Sequence, residues 1–178
     1  VPGALTVDLQ GHLKLVTDEL FELAGLRGDQ TPNIYLVANL DVLKQVSESS
    51  GSHLGFADGY YHSGGDDSGV YMHADSLLTG IQRLLTHEYV HLALSETIGP
   101  VDLPAWLNEG TATYFEYLLN VAGERANATK HPLYRSIGLA ESAARSGSLL
   151  PLTGLESQET WNTQTDESHI KLQYAQSH

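Results

Sequence analysis

Gly99-Pro100 constrains the fold of this chain more than any other pair of residues. Apolar residues recur at helical spacing on both sides of it, which predicts one helix from Leu77 to Ile98 and another from Pro104 to Ala122. Asp75 or Ser76 is placed to cap the first helix, and Gly123 to close the second. A glycine in a left-handed cap followed by proline stops a helix, because proline has no N–H to give and crowds the preceding turn. Pro104 suits the opening turn of the next helix, where no N–H is missed. The short connection lets the chain reverse, so the two helices are expected to lie antiparallel and share a seam.

That seam carries chemistry. His87 and His91 stand at i and i+4, so both imidazoles leave one face of the first helix, close enough to share a metal ion. Glu88 is one residue round from His87, where a carboxylate reaches beside a metal rather than onto it and can take a proton from water. A catalytic zinc site needs a third protein ligand and one open position. Glu109, on the second helix, is expected opposite the two histidines, with Gly110 letting the two backbones approach. Other acids fit less well: Glu96 faces away and Asp102 lies in the connection. The pattern with a third ligand ten residues after the first histidine is not met, since Thr97 stands there and Leu94 occupies the expected glycine position. The chain has 0 cysteines, so a transition metal must be held by histidine and carboxylate, a set that suits Zn2+. Thr113 and Glu116 share the helix face of Glu109 and are candidates to orient a ligand imidazole.

His87-Glu-Tyr-Val-His91 followed by Pro104-Ala-Trp-Leu-Asn-Glu-Gly110 resembles the gluzincin zinc peptidases of clan MA, and most of all the bacterial peptidase MA-like families. The resemblance covers about residues 70–118 and implies a zincin-like metallopeptidase domain. It implies zinc on His87, His91 and Glu109, a metal-activated water, and Glu88 as general base for peptide-bond hydrolysis. The segment between His91 and Glu109 is slightly shorter than in the aminopeptidases of the clan, which implies a shorter connection and the same ligand. The clan places an edge strand of a hairpin ahead of the histidine helix, and Val70, Tyr71, Met72 and His73 stand in that place, as candidates to pair with substrate backbone. The motif with which the aminopeptidases grip a free amino terminus is absent, so the resemblance favours an endopeptidase. Tyr174-Ala-Gln-Ser177 is similar to the aminopeptidase helix whose tyrosine bonds the oxyanion, with Ser177 for glycine; Tyr174 is therefore the expected oxyanion donor, and His178 a further candidate. Enzymes of this kind are often exported in bacteria, so a cell-envelope or extracellular location is implied.

The rest of the sequence reads as one α+β domain over residues 1–178. Residues 5–26 predict a helix ending at Gly25, Asn33–Ala38 a buried strand, Leu40–Val46 a short helix, and 47–52 a loop. Gly55–Tyr61 and Gly69–Ala74 predict a hairpin around the turn-rich 63–69, giving a small mixed sheet with an antiparallel edge hairpin packed on the His and Glu helices. Residues 131–147 predict another helix, 149–165 an irregular stretch, and Glu167 onward a last helix whose pattern stops without a cap, as a C-terminally truncated domain would. Trp106 is expected to anchor the second helix in the core. With 9 Lys+Arg against 22 Asp+Glu, the net charge of −13 argues against nucleic acid as a partner, and no apolar run is long enough to span a membrane. The expected partner is a peptide or protein substrate. Two rival readings use the same residues: an inactive zinc-binding domain that captures peptides, and a zinc hydrolase of a non-peptide amide or ester. A retained Glu88 counts against the first, because capture alone needs no base.

Overall fold

A computed structural model of the chain describes residues 9–26, 32–49, 58–62, 68–73, 80–99, 101–120, 132–156 and 166–177. The elements in order are α1 (Leu9–Ala24), β1 (Asn33–Val37), α2 (Leu40–Ser49), β2 (Gly59–His62), β3 (Gly69–His73), α3 (Ile81–Ile98), α4 (Ala105–Asn120), α5 (Pro132–Ser146), α6 (Leu152–Glu156) and α7 (Glu167–Gln176). The fold is thus α+β, mostly helical, with a small mixed sheet. No helix among the described residues is long and apolar enough to cross a membrane.

The sheet order is β1-β3-β2, with β1 parallel and β2 antiparallel to β3. This corrects two expectations. Gly69–His73 is the central strand, buried along its whole length, and not an edge. β1, expected to be buried, is instead a half-exposed edge with Leu36 open to solvent. An unbroken apolar run belongs in the middle of a sheet because both its faces are covered. On one face of β3, Val70 and Met72 pack in the main core with Leu85, Tyr89 and Val90 of α3. On the other, Tyr71 joins Tyr60 and Leu43. Tyr35, Tyr71 and Tyr60 stack across all three strands, with ring centroids 4.5 and 4.9 Å apart, and fix the register.

Gly59 is where the sheet meets α3. A Cβ there would meet Leu84 at 3.1 Å and the Tyr71 carbonyl at 2.9 Å, so only glycine lets the helix this close to the edge strand β2. α3 is buried almost all round and forms the spine of the core. It opens at Ile81 after a non-helical Gly80, later than the expected Leu77. It ends at Gly99, whose φ of 76° is one that glycine adopts readily, although its ψ of −160° is not that of the left-handed cap expected. The carbonyl of Pro104 then accepts from Leu107 and Asn108 to open α4. α3 and α4 form the most extensive helix–helix contact of the described structure. α2 runs to Ser49, farther than expected, and a short α6 interrupts the stretch expected to be irregular. Asp75, Ser76, Gly123 and the hairpin turn 63–67 lie outside the described residues.

Candidate metal centre

The paired helices set His87 and His91 against Glu109. Glu109 Oε2 lies 3.3 Å from His87 Nε2, and its Oε1 lies 3.7 Å from His91 Nε2. One donor atom from each of the three falls within 4.8 Å of the others. A tetrahedral metal with bonds of about 2.0–2.2 Å separates its donors by roughly 3.3–3.5 Å. The three residues therefore fit a zinc-sized ion with little movement.

The outer nitrogens of the imidazoles are already committed. His87 Nδ1 donates to Glu116 Oε2 at 3.0 Å, and His91 Nδ1 donates to Asn108 Oδ1 at 3.0 Å. With Nδ1 engaged on each ring, Nε2 is the nitrogen turned toward Glu109 and the one that would meet a metal once deprotonated. Glu116 is fixed in turn by Arg83, whose Nε donates to Glu116 Oε1 at 3.0 Å while its guanidinium lies 5.0 Å from the centroid of the Tyr117 ring. Of the two residues expected as candidates to orient a ligand imidazole, Glu116 bonds His87, while the Thr113 hydroxyl donates to the Glu109 carbonyl at 2.8 Å, a bond internal to α4. Asn108 and Arg83 were not singled out from the sequence. Arg83 lies one helical turn before His87 on the same face, and Asn108 precedes Glu109 directly, so helix-face spacing holds a signal for both.

Glu88 is buried at 7% exposure and, among the described residues, makes no ion pair with lysine or arginine. Burial pushes its carboxyl up, the two imidazoles pull it down, and Glu109 and Glu116 push it up again, for a net rise. Burial also opposes the Glu109 charge, yet His91 and His87 hold its carboxyl down at about 2. His87 goes the other way: burial disfavours its charge, but hydrogen bonds to Glu109 and Glu116 raise it well above the usual imidazole value.

Tyr174 of α7 reaches the same place. Its ring packs with Ala105 and Leu155, and its hydroxyl bonds the Glu109 carboxylate. Burial and the neighbouring carboxylates keep the phenol protonated to well above its usual value, so it stays a donor. α7 comes this close because of Gly110. A Cβ on Gly110 would collide with the Ser177 carbonyl oxygen and lie 3.2 Å from the Ser177 carbonyl carbon. The approach that Gly110 permits is thus with the end of α7, and not with α3 as expected.

The other sequence candidates are placed elsewhere. Val70 and Met72 are sealed in the core under α3. Tyr71 and His73 lie on the opposite face of β3 by strand alternation, and His73 Nε2 faces Asp58 Oδ1 at 3.3 Å. All four belong to the central strand, which has a neighbour on each side. His178 lies outside the described residues. Trp106, expected in the core, is 40% exposed. Glu96 is exposed, as its helix position requires. A cavity of about 660 Å³ opens beside His91 and Asn108, bounded by Tyr61 of β2, the last turns of α3 and the connection to α4. Compared with known proteins, the chain matches no family model, no curated protein and no solved structure, so the geometry of this centre carries the functional reading.

Proposed function

We propose that this chain is a zinc-dependent peptidase of the gluzincin type, with His87, His91 and Glu109 as metal ligands. The observation that carries the reading is Glu88, a buried carboxyl beside the candidate ligand set that, among the described residues, is neither grouped with the ligands nor ion-paired with a lysine or arginine. A site that only stored or bound a metal has no use for it, and burying a carboxyl without such a use is costly. When bound, zinc supplies Lewis acidity at this centre, acidifying water and polarising a carbonyl oxygen.

The residues do the rest. Glu88 accepts a proton from the attacking water as its oxygen bonds the scissile carbonyl carbon. Tyr174 donates its phenolic proton in a hydrogen bond to the oxygen on which charge develops, a position next to Glu109. When the carbon–nitrogen bond breaks, Glu88 returns the proton to the leaving amine. Glu116 and Asn108 keep both imidazoles aimed while this happens. The strand on which substrate backbone can be added is β2, since β3 has both neighbours in place, and Tyr61 of β2 shares a cavity with His91.

The test is digestion of a mixed peptide library by zinc-loaded protein, with Glu88→Gln run in parallel. Wild type is expected to cut within peptides, and the variant to hold one zinc and cut at least about 100-fold more slowly. If both hold one zinc and neither cuts, the peptidase reading is wrong.

A further inference from the structure

The cavity beside His91 has a chemistry that neither the metal centre nor the mechanism uses. Leu94, Ile98 and Leu103 give it apolar walls, and Asp102 and Glu156 add two carboxylates. Among the described residues that line it there is no lysine or arginine. Both carboxylates are exposed, so they stand at its mouth rather than its floor. Its volume of about 660 Å³ is within the range of small-ligand sites and ample for one long side chain.

Resting on the peptidase reading, we propose that this cavity is the specificity pocket, and that it selects a substrate residue with a basic side chain, lysine or arginine. A side chain of this kind has an aliphatic stem and a cationic end, and it lays the stem on apolar surface while the charge stays near water. Apolar walls leading to exposed carboxylates match that division. An acidic residue meets like charge there, and the net charge of −13 over the whole chain adds to its exclusion. A purely apolar side chain gains the walls but not the two carboxylates. His91 and Asn108 form part of the lining, so the pocket adjoins the candidate metal centre at one of its histidines.

The experiment reads binding apart from catalysis. Zinc-loaded Glu88→Gln protein is titrated, by fluorescence anisotropy, into labelled alanine-based hexapeptides that differ at one central position: lysine, norleucine or glutamate. The lysine peptide is expected to bind about tenfold tighter than the glutamate peptide and about threefold tighter than the norleucine peptide, the order that exposed ion pairs give. With Asp102→Asn and Glu156→Gln added, both gaps are expected to close to within about twofold. Norleucine binding as tightly as lysine overturns the proposal, as do gaps that persist in the triple variant, and as does no measurable binding of any peptide. Wild-type protein is assayed for hydrolysis of the same peptides. Lysine-selective binding without hydrolysis keeps the pocket and sinks the peptidase reading, whereas hydrolysis without selectivity does the reverse.

Discussion

Replacing Gly110 by alanine tests how the two halves of the centre are joined. The new methyl carbon would fall on the Ser177 carbonyl oxygen, with the Ser177 carbonyl carbon at 3.2 Å and its Cβ at 3.4 Å. An unstrained carbon–oxygen contact is about 3.3 Å or longer. The obstacle is backbone and cannot swing aside, so the end of α7 must retreat by on the order of 1 Å. Overpacking of this kind costs about 1–3 kcal/mol. Alanine returns about 0.8–1 kcal/mol through its better helix propensity. The net loss is up to about 2 kcal/mol, or up to about 8 °C in Tm for a chain of this size. Gly138 of α5 is the control, since a Cβ there meets nothing within 4 Å; Gly138→Ala is expected to raise Tm by about 1–4 °C. The metal ligands all sit on α3 and α4, so zinc affinity of Gly110→Ala, measured against a chromophoric chelator, should stay within about threefold of wild type. Peptide cleavage should fall, because the phenol of Tyr174 moves with α7. A Gly110→Ala protein as stable as Gly138→Ala refutes the packing argument, and one that loses its zinc refutes the division of labour between the helices.

Four further outcomes are expected. Glu116→Gln should weaken zinc about 10- to 100-fold in chelator competition, and Arg83→Met less, because arginine acts only through Glu116; equal affinities in all three proteins would remove the orienting chain. In metal-free protein, His87 is raised, so its contribution to stability is full below about pH 6.5 and is lost as pH rises through its folded value; Glu109 is depressed to about 2, so its contribution is present above about pH 4.5 and is lost toward pH 2. Urea unfolding of the metal-free form should therefore find the site most stabilising between those limits, while zinc affinity rises with pH and binding releases protons, seen by calorimetry in buffers of different ionisation enthalpy. Stripping zinc with a chelator should lower Tm by about 8–16 °C from a state with zinc at about 1,000 times its dissociation constant. Gln173→Met should raise Tm by a few degrees, on the order of 1–2 kcal/mol, because the Gln173 amide is fully buried and, among the described residues, neither its nitrogen nor its oxygen is hydrogen-bonded; a fall in Tm would mean the amide has a partner in solution.

The metal centre was legible in the sequence because it is local. Two histidines at i and i+4, an acid between them, a Gly-Pro stop and an acid on the next helix are all expressed in spacing, and the structure brings His87, His91 and Glu109 together. Glu116 follows from the same helix face. The sheet order was not legible, although the uninterrupted Gly69–His73 run holds a hint. Periodicity of two tells which side chains share a face, but not whether a strand has one neighbour or two. Gly110 misled for a related reason: a glycine announces a close approach without naming what approaches, and the partner, Ser177, is remote in sequence. Trp106 misled through composition, since a large aromatic is usually covered and this one is not.

The placement of Tyr174 on α7 has a consequence for the order in which the centre assembles. α3 and α4 are joined by a short connection, so closing them costs little chain entropy, and the three ligands and Glu88 can meet early in folding. The phenol belongs to a helix that must first dock across α4, after α5 and α6 have been made. A chain folding as it is synthesised therefore brings His87, His91 and Glu109 together well before Tyr174 is in place. On the proposed reading, the groups that would hold the metal meet first and the phenol joins them last.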